Sequence, residues 1–461
     1  MRPGQVLAVL FADPAGAAYA GQWSLVTGWL PIAIQAVCAV VLAVVLARRP
    51  RRWLQLWIPV AALVGAVVAY SANRYMASQG MLTKPIPVLL WIWLFLTGAA
   101  AVLAVAGWPR ARWPLRGASV LSVPLCLLCV AVALNMWVGY FPTVQLAWNQ
   151  LTAGPLPDEM DPAAVDNRRQ RHDTSGHGAV VGVDIPSRAS GFRHRRELVY
   201  LPPAWFATTP PVALPVVVMI GAAFNTPQDW LRAGNAVATA DSFAKDHAGY
   251  APVLVFVDVA GTFNNDTECV NGPRGNAADH VVKDVVPFTV SRFGVRPPGL
   301  GWGVVGFSMG GTCAVDLAVM HPEVFTAFVD IGGDIGPSVG SVEQTTARLF
   351  GGDAHAWETF DPRAAMHRHG QYTNLSGYFI AISSTPPSPT SSAAGHAAIR
   401  HCEYRGEADT PAAAAVLLCL TARRYGIDAK VFTVVGQHDW IMAANVFAGS
   451  LPWLAEKLGM P

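Results

Sequence analysis

The sequence predicts two parts of different class: four transmembrane helices, then a mostly parallel α/β domain with helices on both faces of its sheet. Three observations predict it. Residues 24–140 are overwhelmingly Ala, Val, Leu, Ile and Trp. From Gly176 on, short β-rich runs alternate with helical patterns. One of these runs ends in Gly-x-Ser-x-Gly, directly before a helical stretch.

The apolar region divides into runs at about 25–47, 53–71, 88–107 and 119–140. Each is near the ~20 residues that cross a bilayer as a helix. Pro31 and Pro124 fall inside two runs, which membrane helices tolerate. Several Trp residues, Trp53, Trp91 and Trp137 among them, lie near run ends, as interfacial aromatics do. Only 13% of the chain is charged, against about 25% in soluble proteins, and net charge is +2. That balance speaks against a nucleic-acid partner, because the Arg residues cluster beside apolar runs. The first loop reads Arg48-Arg49-Pro50-Arg51-Arg52, and the third holds Arg110, Arg112 and Arg116. Positive loops stay in the cytoplasm. The reading is thus a multi-pass cell-membrane protein with both termini and the large C-terminal domain on the extracytoplasmic side. Residues 1–23 read as an amphipathic segment, although Ala18-Tyr19-Ala20 has the look of a cleavage site.

Residues 1–143 are accordingly the transmembrane domain, 144–175 a polar linker and 176–461 the catalytic domain. Strands are expected at Ala179–Ile185, Glu197–Leu201, Leu214–Ile220, Val253–Asp258, Trp302–Gly306, Ala327–Ile331, Tyr378–Ser383 and Lys430–Val435. The first two suit an antiparallel entry pair. Helical patterns at Ala278–Phe293 and Pro411–Tyr425 fit the alternation of a parallel sheet.

Gly306-Phe307-Ser308-Met309-Gly310-Gly311 carries the chemistry. In a strand–turn–helix context this is a nucleophile elbow, which pushes the serine Oγ out at the carboxyl end of the sheet. The Met309 N–H would point at a developing oxyanion. A serine hydroxyl needs a base, and in this arrangement the order is Ser, acid, His. His438 follows the last strand and every acid candidate. His396 and His401 read as loop residues, and His367 with His369 as a surface pair too small for a metal site. Asp409, just before the Pro411–Tyr425 helix, is the expected acid, with Glu407 and then Glu403 as competitors. Asp439, beside His438, would point away from the ring. Gly221-Ala222-Ala223 follows the third strand, and the Ala222 N–H is the expected second oxyanion donor.

At these residues the domain resembles the esterase D and antigen 85 mycolyltransferase group of α/β-hydrolases, and most of all actinobacterial membrane esterases of that group. The shared pieces are Leu198–Pro203, Gly221 followed by Trp230, the Ser308 elbow and His438-Asp439-Trp440. Narrower blocks are Asp266-Thr267-Glu268-Cys269 with Gly272–Asn276, and Phe328–Asp334. The resemblance spans about 176–458. It departs at Thr385–Pro389, which lengthens the loop where the family carries its acid. The antigen 85 enzymes also lack a membrane prefix, so trehalose mycolyl transfer does not carry over.

The expected activity is therefore serine ester hydrolysis at a membrane, on a lipid or cell-envelope ester. Membrane hydrolases of comparable layout act on aminoacylated phosphatidylglycerol, which makes that lipid one expected substrate. An acyltransferase using the same acyl-enzyme is the alternative, and a non-catalytic envelope-binding protein the second alternative. The acyl-enzyme route calls for no metal and no cofactor, and the seven cysteines show no zinc spacing. Cys38, Cys126 and Cys129 read as inert residues in apolar runs. Cys269 and Cys402 both fall in loops of the outward domain, where the compartment permits a disulfide between them.

Overall fold

The computed structural model describes residues 22–78, 86–109, 111–152, 156, 158–174, 176–383 and 411–460. The chain divides into two compact units between Thr152 and Ala153. The readings at Ala18–Ala20, His396, His401, Cys402, Glu403, Glu407 and Asp409 lie outside the described residues.

The first unit holds four helices, α1 (Trp29–Ala47), α2 (Arg51–Ser78), α3 (Val88–Gly107) and α4 (Trp113–Val138). All four are long and apolar enough to cross a membrane. Three differ from expectation in length. The first, α1, starts at Trp29, after Gly28, not at 25. Hydropathy drops at Ser71, but no Gly or Pro interrupts the chain there, so backbone bonding carries α2 on to Ser78. Likewise α4 starts at Trp113, not at 119, because Pro114 in its first turn is a helix-starting residue. Cys38, Trp93, Ala100, Cys126 and Cys129 are buried between helices, and the three thiols are free. Between α2 and α3 the backbones nearly touch: a Cβ on Gly98 would stand 3.0 Å from the Gly65 Cα. Small residues permit such approach in membrane helices. Leu56, Leu63 and Val67 of α2 remain exposed, as a lipid-facing surface would be.

The stretch read as a polar linker contains two short helices. In α5 (Val144–Leu151) the Thr143 hydroxyl accepts the Leu146 N–H at 3.3 Å. Asp161 and Pro162 open α6 (Pro162–Gln170). Polar composition masked both helices; their cap residues announced them.

In the second unit β1 (Ala179–Val183) pairs antiparallel with β2 (Glu197–Leu201), as expected. Then come β3 (Val216–Ile220), β4 (Val253–Val257), the small β5–β6 hairpin (Asn271–Gly272, Gly275–Asn276), β7 (Trp302–Phe307), β8 (Ala327–Ile331), β9 (Ser376–Ser383) and β10 (Asp428–Val435). Eight of them form one sheet in the order β1-β2-β4-β3-β7-β8-β9-β10. From β4 to β10 every neighbouring pair is parallel. The apolar, β-branched-rich runs explain the inner strands: every residue of β2, β3, β4, β7 and β8 is buried, because helices cover both faces, whereas the edge strand β10 alternates buried and exposed. Side chains alternate across the sheet. Val217, Val305 and Val329 pack with α7 (Ala236–Asp246) and with the last helix, Trp440–Lys457. Val218, Val304 and Phe328 pack with α8 (Val286–Phe293), α9 (Met309–Met320) and α10 (Pro411–Arg424) on the other face. The last helix is α11.

The sheet order also fixes where a site belongs. The chain leaves β3 for β4 on one side and comes back as β7 on the other. Loops after β3 and β7 therefore part, and ligands bind at the crevice such a switch opens.

One expectation is corrected. Cys269 is bonded to Cys313, not to Cys402, with Cα atoms 5.4 Å apart. Cys313 lies one turn into α9 and faces the loop after β4, so the bond ties that loop to the helix behind Ser308. Cys419 of α10 is also disulfide-bonded, to a partner outside the described residues. Peptide mapping without reduction should return a Cys269–Cys313 cross-link. Replacing both by Ser should destabilise the protein by about 2–4 kcal/mol in urea unfolding, given the 44-residue separation.

Candidate active site

Ser308 is the residue between β7 and α9. Its backbone has φ 58° and ψ −119°, a region non-glycine residues avoid. Local contacts over-determine this strain. The Ser308 N–H donates to Ile331 O at 2.9 Å, and Ser308 O accepts from Gly311 N at 2.8 Å. The motif glycines have steric reasons. A Cβ on Gly306 would run into the Gly310 carbonyl, and one on Gly310 would stand 2.5 Å from the carbonyl oxygens of Ile220 and Gly221. The elbow is thus wedged against the end of β3. Met309, as the first helical residue, has an N–H with no acceptor within its own helix.

His438 lies between β10 and α11. Its ring sits 5.0 Å from the Phe307 ring, and Phe307 in turn meets Trp440 edge-on at 5.2 Å. A Cβ on Gly332 would stand 3.0 Å from His438 Cε1. Ser308 is bonded to Ile331 and His438 rests on Gly332, so both reach the same end of β8. The sequence placed them 130 residues apart; the sheet brings them to one place. Asp439 is the N-cap of α11, its Oδ1 accepting the Met442 N–H at 2.9 Å. That is a helix-capping role, distinct from a triad acid. His367 and His369 are exposed on a surface helix.

The loop after β3 differs from expectation. The Ala222 N–H, expected to face an oxyanion, donates to Asn225 Oδ1 at 2.9 Å. Arg195 holds this loop from outside. Its Nη2 donates to Asn225 O at 2.7 Å, while Nη2 and Nε grip both oxygens of Asp258 at 2.7 and 3.0 Å. Burial would raise the Asp258 carboxyl, but the Arg195 bonds and charge prevail and hold it below the usual range. Sequence reading missed Arg195, Asn225 and Asp258. The only available signal was an Asn four residues after the glycine of a tight turn.

Behind the elbow lies Asp330, fully buried on β8. Its Oδ1 accepts from Gly333 N at 2.8 Å, and a Cβ on Gly311 would strike that oxygen. Burial pushes its carboxyl up to about 7, with the Gly333 bond opposing and the Asp334 charge adding. Asp316 on α9 is raised as well, by burial and then by Asp361 and Asp330.

A second cluster, His194, Glu197 and His280, is compact enough to suggest a metal. The donor set does not fit one. His194 Nδ1 lies 2.8 Å from Arg195 O and Nε2 2.7 Å from Ile185 O. Both nitrogens must therefore donate, which leaves no lone pair for a metal. Burial lowers the ring's affinity for a proton, but Glu197 and the two carbonyls prevail and raise it.

A mostly parallel sheet, a strained serine at its switch point and a histidine after the last strand define an α/β-hydrolase enzyme of the serine esterase and acyltransferase class. Residues 192–399 match the model of the Esterase family, described as "Putative esterase", so the resemblance read from the motifs holds. An uncharacterized protein of Corynebacterium glutamicum is 26% identical over 349 residues, covering 73% of this chain and 75% of that one. Among solved structures, an S-formylglutathione hydrolase from Agrobacterium tumefaciens aligns with TM-score 0.46 and 15% identity over 61% of this chain and 95% of that one. Mycobacterium tuberculosis MPT51 aligns with TM-score 0.39 and 16% identity over 60% of this chain and 99% of that one.

Asp330 makes stability depend on pH. An unfolded Asp ionises near 3.9, whereas the folded group ionises at about 7. Between those values the folded state binds the extra proton, so stability falls as pH rises, then levels off. Asp330→Asn keeps an acceptor for Gly333 and removes this loss. Urea unfolding at pH 5 and pH 8 should show the variant losing about 2–3 kcal/mol less than wild type across that interval.

Proposed function

We propose that the protein is a membrane-anchored carboxylic-ester hydrolase with Ser308 as nucleophile and His438 as base, acting on a lipid or cell-envelope ester. The observation that carries this reading is the Ser308 elbow, strained and held at the same strand end as His438. In the acylation step Ser308 Oγ attacks the ester carbonyl carbon and its proton passes to His438. The carbonyl electron pair moves onto oxygen, facing the Met309 N–H. Collapse breaks the ester C–O bond, and the leaving alcohol takes the proton back from His438. Water repeats the sequence on the acyl-enzyme and releases the acid. Asp409, or Glu407, supplies the carboxylate that orients the imidazole. No step calls for a metal or cofactor.

What supports a lipid or envelope substrate is the set of four helices long and apolar enough to cross a bilayer. Aminoacylated phosphatidylglycerol is one such ester. The sidedness rests on the basic loops. Arg49 Nη1 donates to Gly107 O at 3.0 Å and its Nη2 to Ser119 Oγ at 3.3 Å. The Arg-rich first loop thus meets the α3–α4 connection at one end of the bundle, which supports a common cytoplasmic side for both. The catalytic domain is then extracytoplasmic.

Ser308→Ala should abolish fluorophosphonate labelling and lower ester hydrolysis by roughly 10^4-fold or more, with an unchanged thermal midpoint. Continued labelling would rule out this nucleophile. Lipid analysis of cells carrying Ser308→Ala should show the substrate ester accumulating. For sidedness, a cysteine at exposed Thr208 should react with an impermeant maleimide on intact cells. One at exposed Arg51 should react only after permeabilisation; the reverse pattern would invert the topology.

A further inference from the structure

We infer that the second oxyanion donor is the side-chain amide of Asn225, not the backbone N–H of the loop after β3. This rests on the esterase reading above and changes which group meets the substrate. Asn225 is 5% exposed. Its Oδ1 accepts the Ala222 N–H at 2.9 Å. That bond fixes the amide orientation, because the flipped form would set two donors against each other. The amide nitrogen is then turned away from Ala222, and among the described residues it has no acceptor. A buried amide N–H without a partner costs of order 1–3 kcal/mol, so its retention asks for a ligand that bonds it.

The surroundings say what that ligand is. Asn225, Gly221, Ala222 and Met309 line one small cavity beside the elbow. About 10 Å³ of it is open to the centre of a water-sized atom, which is room for roughly one oxygen. It is bounded by the residue whose N–H follows the nucleophile and by the buried, unpartnered amide nitrogen of Asn225. A carbonyl oxygen attacked from Ser308 would carry its new charge into this space. The Ala222 N–H still contributes, through the amide: bonding to Oδ1 polarises the group and makes its N–H a stronger donor.

Other contacts hold the amide still. A Cβ on Gly221 would come 3.1 Å from Asn225 Cβ, so glycine there lets the side chain lie flat against the turn. Arg195 ties the Asn225 carbonyl to Asp258, just past the end of β4. Asp258 is saturated by Arg195 and by the N–H groups of Ala260 and Gly261, at 3.2 and 3.1 Å. Its charge is thereby spent before it can oppose an oxyanion.

Two variants of the full-length, detergent-solubilised protein separate this from its rivals, with a p-nitrophenyl ester and a trifluoromethyl ketone as probes. Asn225→Ala frees the Ala222 N–H. If that N–H were the donor, kcat would hold or rise. The inference expects kcat to fall 10²–10³-fold, as for loss of one oxyanion donor elsewhere, with KM changed less than about threefold. Asn225→Asp keeps the acceptor for Ala222 and loses the donor. It should lose kcat similarly, weaken the ketone by the same factor and keep the wild-type thermal midpoint. Wild-type kcat in Asn225→Ala overturns the inference. So does wild-type kcat in Asn225→Asp, which would leave Asn225 as a prop for the turn. In either case an active wild type leaves the esterase reading standing. A wild type inert to both probes and to fluorophosphonate overturns both.

Discussion

The backbone of Ser308 is the constraint from which the catalytic domain is organised. A serine at φ 58° costs of order 1–3 kcal/mol, and persists only where its neighbours leave no alternative. Three elements supply that pressure. The β8 end takes the Ser308 N–H through Ile331 O. The β3 end lies against Gly310 so closely that no side chain fits between them. The first turn of α9 closes back on Ser308 O through Gly311 and Thr312. Relaxing the turn would break all three, so the strain is held by the sheet and not by the loop. The same contacts bring the β3 loop, the β8 glycines and His438 to the serine.

Charge around the elbow follows from this packing. The inner side of α9 is so well sealed that Asp316 and Asp330 are desolvated, which raises both carboxyls. Asp258, on the substrate side, is shifted the other way, with its charge matched by Arg195. The disulfide between Cys269 and Cys313 fastens the loop carrying Glu268, another raised carboxyl, to the same helix.

The parts that were legible in the sequence are those governed by local pattern. Runs such as Val216–Ile220 and Val253–Val257 are rich in β-branched residues and bounded by turn residues, so each strand of the eight-stranded sheet was found within about two residues of its place, while the short β5–β6 hairpin was not. The elbow was legible because its first glycine is forced by a contact four residues on, Gly306 against the Gly310 carbonyl. Helix ends in the first unit were less so, since hydropathy marks the apolar span while α2 ends where its backbone bonding does. Long-range pairings were not legible. Cys313 sits in an apolar helical pattern and nothing local distinguishes it from a packed thiol. Its partner 44 residues earlier is set by how α9 docks. The Arg195–Asp258–Asn225 chain joins three segments with no shared motif, and a lone Asn in a loop carries no sign of which N–H it will accept.

That last case bears on how the loop after β3 should be read in general. A glycine-led turn after a strand offers a backbone N–H at the right end of the sheet, and sequence alone recommends it as a donor. Whether it serves depends on a competitor the motif does not contain. An Asn three residues after Ala222 is close enough to take the N–H by an Asx-type bond, and once it does, the polar group facing the cavity is the amide and no longer the backbone. A side-chain donor has rotamer freedom that a backbone N–H lacks, so it needs external support to be preorganised. The support is visible here: Gly221 on one side of the amide, the Ala222 bond at its oxygen and Arg195 on its backbone. Side-chain bonds to the loop thus do the work that backbone rigidity would do alone, and they run from Arg195, just before β2, to Asp258, just after β4, which ties the electrophilic half of the site to the antiparallel edge of the sheet.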